Sequence, residues 1–171
     1  DLGMTAAKAR DIAEDRTYNV LGNYRLLPGA RETLEELKRR GYKLGVISDT
    51  WPSVSLQLAA LGIAHLFDAL TYSFELKQGV HFTNGTELTS KDVKFTFERM
   101  FTPATAAKST AYFNMIKGAQ DMLAGSATEL AGFEVVDDYH FNITLEYPFA
   151  PFVKNIGTSY ADIFPEDACT E

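Results

Sequence analysis

Ser48 closes a short apolar run, Lys43-Leu44-Gly45-Val46-Ile47, and the carboxyl end of a strand is where α/β sheets receive their ligands. A hydroxyl placed there can donate a hydrogen bond to an anionic oxygen. Taken by itself, a serine at a strand end most often serves as a turn or cap residue. A Ser-His-Asp set can be written down from Ser48, His65 and Asp68, but nothing like a nucleophile elbow surrounds Ser48. His65, His81 and His140 lie in three different elements, and no pair of them has helical metal-ligand spacing, so no metal site is expected. Asp137-Asp138 stands in a polar turn between two alternating runs. Neither a GxGxxG nor a Walker A loop occurs. The single cysteine, Cys169, excludes an internal disulfide and a multi-cysteine metal site and leaves the redox compartment open.

The chain that must position these groups has 171 residues, 46% of them hydrophobic and 23% charged, with a net charge of −7. Nucleic acid is a poor partner for such a chain, because phosphate binding needs basic patches. No apolar stretch approaches the ~20 residues of a membrane span. The N-terminal DLGMTAAKAR has no apolar signal core and no initiator methionine, as in a chain entered midway. The composition is not uniform. Residues 1–71 are electrically balanced, whereas residues 72–171 carry the whole net negative charge. Six of the seven arginines precede Thr71 and only Arg99 follows it; most of the aromatic residues lie after it. No Pro-, Gly- or Ser-rich linker marks the change.

In the first segment Thr5–Asp15 has helical character, and Ala30–Arg40 forms a second helix with Leu34 and Leu37 on one face and basic residues at its end. Gly41 stops it. Lys43–Ile47 is a buried strand, residues 53–61 are a third helix, and Phe67–Thr71 begins another strand. Helix and strand alternate as in a parallel α/β sheet. The run PGARETLEELKRRGYKLGVISDTWPS, continued by LAALGIAHLFDALTYSFEL, resembles the haloacid dehalogenase-like hydrolases over roughly residues 20–76. The resemblance implies that Ser48 is the hydroxyl of the family's second motif and contacts a phosphoryl oxygen. It implies magnesium as cofactor if the hydrolase were whole. The DxD nucleophile motif is absent from the chain, and the expected Lys-Pro-Asp-Pro run is replaced by Lys77-Gln78-Gly79. Phosphoryl transfer needs an attacking carboxylate, a metal and a cation. Ser48 is therefore expected to be vestigial, with no intact catalytic set and no cofactor.

The second segment alternates at Tyr72–Leu76 and again at Val80–Phe82, with Asn84-Gly85 as a tight turn. Thr89 or Ser90 caps a helix whose buried face is Val93, Phe97, Met100 and Phe101. A further helix is predicted over Ser109–Leu123, followed by a hairpin with Phe133 and Val135 on one strand and Phe141, Ile143 and Leu145 on the other. The run YSFELKQGVHFTNGTELTSKDVKFTFERMF, with Gly132-Phe133-Glu134-Val135 and Pro148-Phe149-Ala150-Pro151-Phe152 in order after it, looks like the extracellular solute-binding proteins of peptide and nickel ABC importers. That resemblance covers about residues 71–171. It implies part of one lobe of a two-lobed protein, framework rather than ligand contacts, and an ABC permease as partner of the whole. Ligand-binding residues stay unknown; Tyr112, Tyr147 and Tyr160 are candidates to line a cleft, although aromatics of this kind more often fill a core or dot a surface.

The expected organisation is an incomplete haloacid dehalogenase-like α/β fragment over 1–71, followed by an α+β fragment over 72–171 that is a partial lobe of a periplasmic-binding-protein-like fold. The join falls within residues 71–76, where TYSFEL suits both patterns. No intact activity is expected; a solute-binding module or a phosphatase are the alternatives. The first family is mostly cytoplasmic and the second exported, so location stays open. Each piece is expected to pack mainly within itself. Surfaces left without partners, including the Val93, Phe97, Met100 and Phe101 stripe and Val46 and Leu56, would then favour self-association.

Overall fold

The computed structural model describes residues 23–48 and 54–169; the helix expected at Thr5–Asp15 lies outside them. The first helix, α1, spans Ala30–Arg39 with Lys38 and Arg39 in its last turn, as its sequence predicts. Strand β1 is Gly45–Ser48, helix α2 is Val54–Ala60, and a single tight turn, Ala64–Leu66, leads into strand β2, Ala69–Glu75. The two strand pieces expected on either side of the join, ending at Thr71 and beginning at Tyr72, are this one strand.

Helix α3, Ser90–Phe101, opens with a capping box: the Asp92 carboxylate accepts the Thr89 backbone N–H at 2.9 Å and its hydroxyl at 2.9 Å. The chain then runs through short turns to helix α4, Ala119–Leu123, strand β3, Phe133–Val135, strand β4, His140–Leu145, and helix α5, Phe152–Ile156. The strand expected at Val80–Phe82 is only a single bridge between His81 and Glu87.

The long helix expected over Ser109–Leu123 is a correction. Lys108–Tyr112 is a tighter 3-10 turn, and only Ala119–Leu123 is α-helical. Between them the backbone serves the sheet instead. Ile116 bridges Leu145, Lys117 N–H donates to Thr144 O at 2.9 Å, and Glu146 N–H donates to Met115 O at 2.9 Å. Gly118 then turns the chain at φ 83°, a conformation that L side chains resist. The buried residues Met115, Ile116, Ala119 and Met122 imitate helical spacing, but tertiary pairing overrides it.

One four-stranded sheet in the order β1-β2-β4-β3 organises all of this. β1 pairs parallel to β2, and β4 pairs antiparallel to both β2 and β3. The register places Tyr72, Ile143 and Phe133 in one row and Phe74, Phe141 and Val135 in the next. Their side chains share the core face. Phe74, Phe141 and Phe133 stack at 5.1 Å centroid spacings, and Phe97 of α3 meets the edge of Phe113 at 5.3 Å. The other face is polar: Thr71 and Thr144 share a hydroxyl hydrogen bond at 2.9 Å, and Asn142 donates to Glu134 at 2.9 Å.

This continuity overturns the expectation that the two pieces pack separately. β2 pairs parallel with β1 on one edge and antiparallel with β4 on the other, so strands expected to belong to separate pieces lie in one sheet, against the expectation of two independent fragments. The orphaned stripe is likewise corrected. Val93, Phe97, Met100 and Phe101 are all buried against the sheet and its neighbours. Uncovered apolar groups occur on both sides of Thr71, Val136 and Phe164 among those after it. Helix α1 buries no residue, and Leu27 and Ile47 are 79% and 87% exposed. Val46 and Leu56 are half-buried.

Helix α1 is held largely by polar contacts. Arg31 donates to Leu61 O at 2.6 Å and Gly62 O at 2.8 Å, and Lys38 pairs with Asp68 at 2.8 Å. Asp68 also accepts the Leu44 N–H at 2.9 Å and the Lys43 ammonium at 3.2 Å. The Lys38 hydrogen bond above all, then the Leu44 N–H, holds the Asp68 carboxyl well below the usual carboxylate range. A carboxyl depressed in the folded state stabilises the fold fully above its unfolded value, about 4, and loses that contribution as the pH falls towards its folded value. The melting temperature of the wild-type chain is therefore expected to fall more steeply than that of Asp68→Asn below about pH 4. Parallel melting profiles on acidification would show that Asp68 does not couple protons to folding.

Candidate functional site

Ser48 ends β1 beside Tyr72 in the parallel register, half-buried and on the core face of the sheet. It therefore sits at a strand carboxyl end, as its sequence context predicts. The residues that would surround it in a triad do not gather there. Asp68 donates its N–H to Leu44 O, at the opposite end of β1. At ~3.3 Å per residue, the four-residue offset along the strand separates Ser48 from Asp68 by about 13 Å. Asp68 is moreover committed to Lys38, Lys43 and Leu44, and His65 is exposed in the turn before β2. Ser48, His65 and Asp68 therefore do not form a catalytic triad.

The Asp137-Asp138 pair is the turn of the β3–β4 hairpin. Asp137 accepts the backbone N–H groups of Tyr139 and His140 at 2.8 Å each, with the His140 ring at 2.8 Å, and these contacts lower its carboxyl pKa. Asp138 pairs with Lys91 at 3.2 Å. His81 faces Gly79 O at 3.1 Å, far along the chain from the other two histidines. Among the described residues no three His, Cys, Asp or Glu side chains converge on a common point.

Among the described residues a concave feature lies elsewhere, between the second half of α3 and the segment 159–164. It encloses about 250 Å³. Thr96, Arg99 and Met100 line it from α3; Ser109 lines it from the turn that follows; Tyr160, Asp162 and Phe164 close it from the C-terminal side. Thr96 ties the two walls together: its hydroxyl accepts the Phe164 N–H at 3.0 Å and donates to Phe164 O at 3.3 Å. The Arg99 guanidinium lies 5.8 Å from the Phe164 ring centroid. Of the three tyrosines considered for a cleft, the structure brings two together. Tyr112 and Tyr160 stack at 4.4 Å, and Tyr160 faces the concavity, whereas Tyr147 meets only Phe149 edge-on at 6.2 Å. Arg99 and Asp162 are not marked by any motif. The one available signal is that Arg99 is the only arginine after Thr71.

Residues 57–169 match the sequence profile of the bacterial extracellular solute-binding proteins, family 5. The chain belongs to that family. A second profile, that of the haloacid dehalogenase-like hydrolases, matches residues 3–100, so the chain belongs to this family as well, and the two matches overlap from residue 57 to residue 100. A dipeptide-binding protein of Lactococcus lactis subsp. cremoris is 32% identical over 101 residues, 56% of this chain and 18% of that protein. The glutathione-binding protein GsiB of Pectobacterium atrosepticum is 26% identical over 166 residues, 97% of this chain and 29% of that protein. Among solved structures, Listeria monocytogenes OppA bound to peptide superposes with a TM-score of 0.56 at 29% identity, over 58% of this chain and 20% of that one. The chain thus spans less than a third of the length of these relatives. They are solute-binding proteins and not enzymes. The described structure is a small mixed α/β unit.

Proposed function

We propose that the chain is a composite in which neither family's own site is complete. A haloacid dehalogenase-like piece, residues 1–71, carries Ser48 without a nucleophile, and it is joined within residues 71–76 to a partial lobe of a solute-binding protein, residues 72–171. What supports this reading is that two different family profiles match the chain, one over residues 3–100 and the other over residues 57–169; the single sheet that β1 and β4 share counts against it. Ser48 can donate a hydrogen bond to a phosphoryl oxygen but cannot attack phosphorus in place of an aspartate, and removing a central catalytic group costs several powers of ten in rate. The chain is expected to hydrolyse an aryl phosphate with magnesium no faster than buffer does. Magnesium-dependent turnover that disappears in Ser48→Ala would overturn the reading.

A second reading is a solute-binding module of an importer, with a peptide-like ligand and an ABC permease as partner. The alignment with the glutathione-binding protein over 97% of the chain favours it. Saturable binding of glutathione or a dipeptide in calorimetry would select this reading over the first. In either case the exposed Leu27 and Ile47 favour self-association through the first piece. Sedimentation velocity is expected to show a concentration-dependent shift that Ile47→Lys reduces; a monomer at every concentration would contradict it.

A further inference from the structure

Arg99 and Asp162 line the same concavity, yet neither side chain has a hydrogen-bond or ion-pair partner among the described residues. Opposite charges that share a concavity without pairing lie more than 4.0 Å apart. The floor is apolar: Met100 is buried, and the rings of Tyr160 and Phe164 flank it. Both cationic and aromatic walls are held in place, Arg99 by its position over Phe164 and Tyr160 by its stack on Tyr112. The hydroxyls of Ser109 and Ser159 add donors at the rim. A volume of about 250 Å³ is below the range of pockets for drug-sized ligands, so the occupant is small.

We propose that this concavity binds a free α-amino acid with an apolar or aromatic side chain. The Arg99 fork donates to the carboxylate in the two-pronged geometry that guanidinium and carboxylate share. Asp162 takes the ammonium, and the side chain lies over Met100 between the two rings. The site is built from residues after the join and is independent of the composite reading. A failure to bind here leaves that reading untouched, and phosphate turnover would leave this one untouched.

The test is a titration of the full ¹⁵N-labelled chain with L-phenylalanine, followed by amide chemical shifts. Saturable shifts are expected at Ser109, Ser159 and Phe164, and none with N-acetyl-L-phenylalanine amide, which lacks both charges. Loss of one charge-assisted contact weakens binding about tenfold or more, so Arg99→Gln and Asp162→Asn are each expected to do so. Shifts at Phe113 and Ile143 report the fold. If Arg99→Gln disturbs them, Asp162→Asn decides alone, since that side chain is exposed and unbonded. Absence of saturable shifts, an equal response to the capped compound, or undiminished affinity in Asp162→Asn would each overturn the assignment.

Discussion

Gly132→Ala is expected to destabilise the fold by about 3 kcal/mol or more, because the added methyl has nowhere to go and its neighbours cannot step aside. A Cβ at Gly132 would stand 2.6 Å from Thr144 O, 2.9 Å from Lys117 N and 2.9 Å from Lys117 O. All three are backbone atoms, and they are bonded to one another and to Gly132. Lys117 N–H donates to Thr144 O at 2.9 Å, Gly132 N–H to Lys117 O at 2.8 Å, and Thr144 N–H to Gly132 O at 2.7 Å. Relief of the clash must therefore break hydrogen bonds that join β4, the entry to β3 and the strand-like run before α4. Burial of the freed N–H and C=O groups adds to the cost. Gly118 tightens the same corner, since a Cβ there would lie 3.0 Å from the Ala131 Cβ. Gly157→Ala is the control. Gly157 has φ −79°, and the nearest non-neighbouring atom to its would-be Cβ is Lys154 O at 3.5 Å, so alanine there is expected within about 0.5 kcal/mol of wild type. Urea unfolding of the two variants separates them; equal midpoints would mean that the corner is loose.

Gly132 also shows which parts of the fold were legible in the sequence. Its motif stands in the chain, but its three contacts come from residues distant along it, and no local pattern announces them. Elements set by local chemistry were legible: the Thr89–Asp92 capping box, the alternation of Phe141, Ile143 and Leu145, and the basic end of α1 all express themselves within a few residues. Ser109–Leu123 failed for the opposite reason. Its apolar spacing suits a helix, but the Ile116–Leu145 bridge claims the backbone first. The sheet's continuity through β2 was hidden because a strand's sequence does not say how many of its edges are used. Ser48 was legible as a strand terminus, and its lack of a triad follows from register. The Arg99–Asp162 concavity was not legible at all, since it joins a helix face to a segment some sixty residues on with no motif in either.

Phe97→Ala and Leu37→Ala test whether the one sheet is also one evenly packed core. Phe97 is 2% exposed and meets Phe113 at 5.3 Å and Phe133 at 6.0 Å, so its removal opens a cavity between α3 and the sheet. Such a cavity costs about 3–5 kcal/mol. Leu37 lies on α1, which buries no residue and is held by Arg31 and by the Lys38–Asp68 pair. Its truncation removes half-exposed surface and leaves a good helix former, so the expected cost is below about 1 kcal/mol. The same asymmetry is expected in native-state amide exchange: amides of Phe141, Ile143 and Leu145 open only with global unfolding, and those of α1 open locally first. This follows from the two edges of β2. Towards β4 it faces a row of stacked aromatic rings; towards β1 it faces a four-residue strand whose outward Ile47 is 87% exposed. Hydrogen bonds tie β2 to a strand on each edge, but apolar burial, which carries most of the free energy of folding, lies mostly in residues after Thr71. Equal costs for Phe97→Ala and Leu37→Ala, with equal amide protection in α1 and β4, would mean that the first piece has a core of its own and that the junction strand is supported from both edges.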